Sequence, residues 1–310
     1  MTRLLIGFGC LAFATGAQAS FDLMFIQEAT PTNSIYRVHR VDPANGVSLG
    51  SFQIGPESKG LAASYARREL YSIDINGNLR TYDYSTGAQK SLRATGFSNV
   101  ADFVLSADGT SLLIAHNTGQ IRTFNLTTNG TGTLISSGTA QFSKLHQAAN
   151  GDVYAYAANL GMLQRYNSGG FTLQSQEVNG GTTVGQMTYL ASVQAPYGTV
   201  YYGAGAGYGF NPTYNNNFYF GGGFSNGVSG HQSVVSAVRS HTGAYVIGMD
   251  SGGSLTRVTE IDSASYHVRT NTFAGINGGV KSVAVVLAPE PGTLAAIGLG
   301  IAALLKRRRK

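Results

Sequence analysis

A glycine-centred pattern that recurs every 42 to 46 residues constrains the fold of this chain more than any other feature. Each copy has a glycine, one spacer, an apolar residue and then polar residues that usually end in an aromatic one, and the glycines are Gly77, Gly119, Gly161 and Gly253. The last interval is twice the repeat length, so a further copy is expected near Gly207. Such a period, with four short strands in each unit, is typical of the blades of a β-propeller.

The strand pattern indicates how many units there are. Short β-branched and aromatic runs alternate with Gly, Asn, Asp and Ser turns, which favours an all-β fold. The first strand of a unit recurs six times, at Leu61, Asp102, Leu145, Thr188, Val234 and Val283. The strands near Phe21, Ser34 and Ser48 form an N-terminal unit that lacks its first strand. Conversely, the first strand at Val283 is not followed by the second, third and fourth strands of a unit. We therefore predict a six-bladed β-propeller in which the C-terminal strand completes the N-terminal blade and no sheet edge stays exposed.

The first 19 residues have the layout of a secretory signal peptide. A cation precedes an apolar run over residues 4–14, and Ala17 and Ala19 form an A-x-A cleavage site. We expect a signal helix that signal peptidase removes before Ser20. Cys10 is the only cysteine, so the mature chain would have no thiol for a disulfide, a nucleophile or a metal.

The last 23 residues have an equally distinct layout. Pro289, Glu290 and Pro291 precede an apolar run from Leu294 to Leu305, and five cations follow it: Lys306, Arg307, Arg308, Arg309 and Lys310. The run has 12 residues, and a helix of that length covers only about 18 Å of a hydrocarbon core about 30 Å thick. We expect a short transmembrane helix whose cations stay cytoplasmic and whose prolines lie extended just outside the membrane.

This tail resembles the PEP-CTERM sorting signal of Gram-negative bacteria, in which a Pro-Glu-Pro triplet, a short apolar helix and a basic cluster follow one another. The resemblance implies that an exosortase processes the tail at the inner membrane and that the protein then resides at the cell surface or outside the cell. It also implies a link to exopolysaccharide and biofilm. A plain C-terminal anchor would explain the apolar run and the cations but not the triplet. The expected organisation is a signal peptide (1–19), a propeller (20–287) and a sorting segment (288–310).

A second resemblance covers one predicted blade. The segment from Ser106 to Gly130 is similar to YVTN-type repeats of WD40-like propellers, with Ala107 in place of the proline of the turn and Asn125 in place of the final aspartate. This resemblance implies the fold and says little about the function.

The charge balance excludes nucleic acid as a partner. The chain has 21 basic and 15 acidic residues and a pI near 9.4. Arg3 and the five C-terminal cations account for the whole excess, so the propeller region has no net charge to release counterions from a phosphate backbone.

The loops that lead into the innermost strands form a possible ligand face of cations and amides: Lys59, Asn99, Lys144, Gln186, Gln232 and Lys281. Such residues suit an anionic or sugar ligand, or they are simply solvated loop ends. The innermost strands supply one carboxylate, Asp102, which is too few for a metal site or an acid–base pair. We therefore expect no catalytic residues, no metal and no cofactor.

Two further segments leave alternatives open. Asp74 to Asn78 imitates part of a calcium loop but is better explained as a turn, because no distal glutamate follows. Tyr201 to Gly230 alternates aromatic residues with Gly and Asn, which suits either stacking on sugar rings or a long blade with a flexible hairpin. The sequence favours a non-catalytic binding or scaffold module over the alternative, a secreted hydrolase or lyase that acts on an extracellular polymer.

Overall fold

The structure, a computed structural model, describes residues 22–28, 36–55, 57–148, 150–168, 171–177, 187–195, 198–205, 218–220, 233–239, 243–249, 256–262, 267–276 and 279–286. These residues form β-strands and the turns between them, and no helix occurs in this part of the chain. The predicted signal helix and sorting helix lie outside it.

The strands are β1 (Leu23–Glu28), β2 (Tyr36–Asp42), β3 (Val47–Ile54), β4 (Ser58–Ser64), β5 (Glu69–Asp74), β6 (Leu79–Asp83), β7 (Gln89–Ala94), β8 (Val100–Leu105), β9 (Ser111–His116), β10 (Gln120–Asn125), β11 (Gly130–Ser137), β12 (Phe142–Gln147), β13 (Val153–Ala157), β14 (Met162–Tyr166), β15 (Leu173–Glu177), β16 (Met187–Ala195), β17 (Gly198–Gly205), β18 (Phe218–Phe220), β19 (Ser233–Arg239), β20 (Gly243–Met249), β21 (Thr256–Asp262), β22 (His267–Phe273) and β23 (Val280–Val286).

Five sheets have four antiparallel strands each, and we number them as blades in chain order. Blade 1 has the order β23-β1-β2-β3, and blades 2 to 5 are β4–β7, β8–β11, β12–β15 and β19–β22. In blade 1, the C-terminal strand β23 pairs with β1, with Phe25 opposite Ala284. The predicted closure of the N-terminal blade by the last strand is therefore present.

The prediction of six four-stranded blades is wrong, because the structure shows five. The remaining sheet, β16–β18, has three strands, and its third strand pairs in parallel with β17 through Tyr201 and Phe218. The sequence from residue 203 to residue 232 contains 9 glycines and few β-branched residues. Glycine has no side chain to pack on a neighbouring strand and loses much conformational entropy when it is ordered, so this composition disfavours a regular four-stranded sheet. The expected repeat copy near Gly207 lies outside the described residues.

The innermost strands contact one another in a closed ring, in the order β23, β4, β8, β12, β16 and β19. We call the side of the ring where these strands begin the upper face and the side where they end the lower face. Every six-residue strand carries the chain roughly 20 Å from one face to the other.

Apolar side chains fill the spaces between neighbouring blades. Between blades 2 and 3, Tyr71 and Ile73 of one sheet pack with Phe103 and Phe124 of the next, and all four are 2% exposed or less. Similar cores lie between blades 1 and 2, between blades 3 and 4, and between blades 5 and 1. Burial of apolar area between sheets therefore holds the ring together.

The repeated glycines have a steric cause. Gly77 and Gly119 each open the third strand of a blade with a positive φ, +75° and +90°. A Cβ at Gly77 would lie 2.2 Å from the carbonyl oxygen of Phe97, and one at Gly119 would lie 1.9 Å from that of Gly138. In both blades the connection to the next blade passes over this turn on the upper face, and only glycine leaves it room.

Aspartate and asparagine close the turns on the lower face. Asp42, Asp83 and Asn125 end the third strand of blades 1, 2 and 3, and each accepts hydrogen bonds from two backbone N–H groups that follow it. Asn125 thus makes the same turn contacts as the aspartate that it replaces.

The segment that imitates a calcium loop is a turn. Asp74 accepts hydrogen bonds from the backbone N–H groups of Asn76 and Asn78 through Oδ1, and from Arg80 through Oδ2. Burial raises the pKa of Asp74, but these hydrogen bonds more than offset it and hold the pKa below its ordinary value.

Candidate functional site

The structure places four of the six predicted ligand-face residues at the upper ends of the innermost strands. Lys59 and Asn99 are exposed, and Lys144 and Lys281 are half-buried. Gln186 and Gln232 lie outside the described residues. The role of these residues in binding stays a prediction.

Lys281 is already engaged by neighbours that the sequence did not single out. Its Nζ lies 2.5 Å from Glu57 Oε1 and 4.6 Å from the centre of the Tyr36 ring. The hydrogen bond from Lys281 holds the pKa of Glu57 below its ordinary value. Lys281 therefore links blade 1 to the start of blade 2. Because Glu57 partly neutralises its charge, Lys281 would attract an anionic ligand less strongly than Lys59 would.

Asp102 connects blades 3 and 4. Its Oδ2 accepts a hydrogen bond from the backbone N–H of Leu145 at 3.0 Å, and its Oδ1 accepts one from Phe103 at 3.0 Å. Burial raises the pKa of Asp102, and the charge of Lys144 opposes that shift. The carboxylate thus accepts a hydrogen bond from an N–H group of the neighbouring innermost strand. Without Asp102, that N–H group would face the central channel with no hydrogen-bond acceptor.

The lower face contains an apolar funnel of about 420 Å³ around the propeller axis. Innermost strands of all five blades contribute to it, with Leu61, Val104, Leu145, Val238 and Val283 among the lining residues. Tyr65 stands at its rim and is 42% exposed. The funnel was not predictable from the sequence, because it exists only once the strand ends of several blades meet.

A second, polar cleft of about 340 Å³ lies between blades 2 and 3. The connection at Gly96, Phe97 and Ser98 covers it, and His116 and Arg122 of blade 3 line it. Phe97 packs edge-on against Phe124 at 5.5 Å, which fixes an apolar wall. No carboxylate is among the residues that line this cleft.

The polar groups of this cleft are held in defined orientations. His116 Nδ1 lies 2.7 Å from the carbonyl oxygen of Ser98, so Nδ1 donates the proton and Nε2 is left for other partners. Arg122 Nε donates to Gln120 Oε1 at 3.3 Å, which orients the guanidinium and leaves the Gln120 amide N–H groups as donors. The cleft, which we call the Arg122 cleft, therefore offers a fixed cation, amide donors and an aromatic wall.

Sequence reasoning missed the Arg122 cleft, although Asn99 of the predicted ligand face directly follows its covering connection. Arg122 and His116 are 6 residues apart on adjacent strands, so only the hairpin pairing brings them to one side. The available signal was the repeat itself, since it placed both residues on the second and third strands of one blade.

No group of three His, Cys, Asp or Glu side chains that could hold a metal ion occurs among the described residues. Nor does any helix in the described part of the chain have the length and apolarity needed to cross a membrane.

Comparison with protein families identifies the tail. Residues 287–310 match the PEP-CTERM protein-sorting motif. The chain is thus a β-propeller-like protein with a C-terminal sorting motif, which implies export and processing by an exosortase at the envelope or cell surface.

Solved structures support the fold. A protein of unknown function from Bacteroides caccae is similar with 12% identity and a TM-score of 0.56, over 86% of this chain and 99% of that one. A chain in a nidogen/laminin complex is similar with 11% identity and a TM-score of 0.53, over 85% of this chain and 97% of that one. At such identities the likeness concerns the fold alone. No curated protein matches the chain.

Proposed function

We propose that this protein is an exosortase-sorted component of the cell surface or extracellular matrix of a Gram-negative bacterium, and that its propeller is a non-catalytic binding module. The observation that carries the proposal is the position of the sorting motif. The last strand of the propeller ends at Val286 and the matched motif begins at residue 287. The precursor is cleaved by signal peptidase before Ser20, held in the inner membrane by Leu294–Leu305, and processed by the exosortase near Pro289–Pro291.

The three-stranded sheet fills the space between blades 4 and 5. Its strand β16 contacts β12 of blade 4 on one side and β19 of blade 5 on the other. A closed ring with no open gap would give the ligand face a fixed shape, which favours recognition without a large ordering cost.

The Arg122 cleft is the proposed binding site, and its ligand is an acidic sugar unit of an exopolysaccharide. A carboxylate would receive charge-assisted hydrogen bonds from the guanidinium of Arg122. Sugar hydroxyls would pair with Gln120 and with Nε2 of His116, while the ring would pack against Phe97. Lys59 on the same face adds to the attraction for an anionic polymer.

The hydrogen bonds that Asp102 already makes favour a binding function over hydrolysis. This residue is the one carboxylate of the innermost strands, and both of its oxygens accept backbone hydrogen bonds. A glycoside hydrolase that works through two carboxyl groups would need a second acidic group beside it.

The sorting part of the proposal is tested by fractionating host cells. In wild-type cells we expect the protein in the outer envelope or the medium. Replacement of Pro289, Glu290 and Pro291 by alanine should leave it in the inner membrane, as should deletion of the exosortase gene. Thr293→Ala, a matched change in the same tail, should not alter the distribution. An unchanged distribution of the triple variant would contradict the proposal.

The binding part is tested by calorimetry with oligoglucuronate and with a neutral glucan oligomer of equal length. The wild type is expected to bind the charged oligomer more tightly. Arg122→Met should weaken that binding roughly 10- to 100-fold, because hydrogen bonds to a charged group contribute about 1.5–3 kcal/mol. Lys59→Met, which removes a cation of the same face outside the cleft, should weaken it only a few-fold. Equal losses from both variants would show that the cleft is not the site.

A further inference from the structure

The sorting tail leaves the propeller at the funnel of the lower face. Val283 to Val286 line the funnel, and Val286 is the last residue of β23. Pro289 lies three residues further on, so even a fully extended chain places it within about 11 Å of the funnel rim. Leu294, which opens the apolar run, lies eight residues further on and thus within about 29 Å. A membrane that holds the apolar run must therefore be close to the propeller.

The lower face nearest the funnel has the side chains of a membrane-facing surface. Tyr65 and Arg68 are exposed in the turn between β4 and β5, and Arg67 lies beside them. Arg67 Nη2 donates to Thr127 Oγ1 at 2.9 Å, which ties the turn to blade 3. Lys90 Nζ donates to the carbonyl oxygens of Arg67 and Arg68, so a third cation adjoins the same turn. Tyrosine and basic residues are enriched at membrane interfaces, where the cations attract anionic headgroups.

The carboxylates nearest this turn already have partners. Glu69, which directly follows the turn, pairs with Arg93 at 2.8 Å. Asp83 lies 3.8 Å from Lys90 and accepts backbone hydrogen bonds within its own turn. Asp108 of blade 3 is held by the hydroxyl groups of Ser106 and Thr110. The turn at residues 65–68 itself contains no acidic residue.

We propose that the lower face lies against an anionic lipid surface while the sorting tail is attached, with Tyr65, Arg67 and Arg68 at the level of the headgroups. His116 and Gln120 of the Arg122 cleft lie at the upper ends of β9 and β10. This end of the cleft is therefore on the side away from the membrane, where polymer can reach it before the tail is processed. The inference rests on the proposed function in one respect, since it takes Leu294–Leu305 as the membrane segment.

Site-specific labelling tests this orientation on the chain with its tail intact. The chain has one cysteine, Cys10, so Cys10→Ser provides a background in which Ala66→Cys or Asn76→Cys is the only thiol. Both positions are exposed turns of blade 2, joined by the six-residue strand β5 and thus roughly 20 Å apart on opposite faces. A fluorophore on each is measured in vesicles of phosphatidylethanolamine with one-quarter phosphatidylglycerol and a nitroxide-labelled headgroup.

We expect strong quenching at Ala66→Cys and little at Asn76→Cys. Neutral phosphatidylcholine vesicles, or the added changes Arg67→Gln and Arg68→Gln, should reduce the quenching at Ala66→Cys. Equal quenching at both positions, or stronger quenching at Asn76→Cys, would overturn the orientation while leaving the anchoring intact. A chain that does not float with the vesicles would instead refute the membrane segment of the proposed function, and the orientation with it.

Discussion

Replacement of Gly119 by alanine should destabilise the propeller far more than the same change at a glycine without close neighbours. Gly119 has φ +90°, and an added Cβ would lie 1.9 Å from the carbonyl oxygen of Gly138 and 2.8 Å from that of Ala140. Both oxygens belong to the backbone of the connection to blade 4, so no side-chain rotation relieves the contact. Gly96 is the matched control, because its φ is +85° and no atom lies within 4 Å of its Cβ position.

The two changes share one energetic cost and differ in the other. A positive φ costs a residue with a Cβ about 1–2 kcal/mol, and both variants bear that cost. Only Gly119→Ala also forces the connection to move by more than about 1 Å to reach ordinary van der Waals contact, which adds about 1–3 kcal/mol of overpacking. We therefore expect losses of about 2–5 kcal/mol for Gly119→Ala and about 1–2 kcal/mol for Gly96→Ala.

Urea unfolding of the protein purified from its host measures both losses. The chain has no tryptophan and 17 tyrosines, so tyrosine fluorescence and far-ultraviolet circular dichroism are suitable probes. Coincident transitions by the two probes would justify a two-state treatment. Equal shifts of the urea midpoint for Gly119→Ala and Gly96→Ala would refute the steric explanation of the repeated glycines.

Three further predictions concern charged side chains. Arg93→Met should destabilise the protein by about 3–5 kcal/mol in urea unfolding, because it leaves the buried carboxylate of Glu69 without the cation that lies 2.8 Å away. Lys90→Met on the same strand should cost at most about 1 kcal/mol, because its contact with an aspartate is long and exposed. The pKa of Asp74 is lower in the folded state than in the unfolded state, where it is about 4. The ionised carboxylate therefore stabilises the fold above that pH, and this stabilisation is lost as the pH falls further. Asp74→Asn should accordingly flatten the decline of the urea midpoint between about pH 5 and pH 3. Arg122→Met should change the free energy of unfolding by less than about 0.5 kcal/mol while abolishing most oligoglucuronate binding, since its guanidinium makes one hydrogen bond among the described residues.

The sequence predicted much of the fold because the determining features are local. The positive φ of Gly77 and Gly119 and the turn contacts of Asp83 and Asn125 depend on residues close by, and they recur in successive blades. Ring closure was predictable from counting alone, since the N-terminal blade lacked the strand that Val283 supplies.

The rest depended on contacts between distant segments. The funnel appears only where strand ends from several blades meet, and the Arg122 cleft only where the connection at Phe97 passes beside blade 3. The number of strands in the β16–β18 sheet was not predictable from the repeat, because the aromatic residues of this glycine-rich region recur at irregular intervals and do not specify one pairing. The contact of Lys281 with Glu57 was not predictable either, because the two residues lie 224 positions apart in the chain.

The measurement that tests the central claim most directly is the intact mass of the protein recovered from membrane and released fractions of its host. We predict a released species that begins at Ser20 and ends near Pro289–Pro291, with the full tail present only on the membrane-bound precursor. A single membrane-bound species that begins at Ser20 and retains Lys310 would contradict the account, because the tail would then be a permanent anchor and not a sorting signal that is removed.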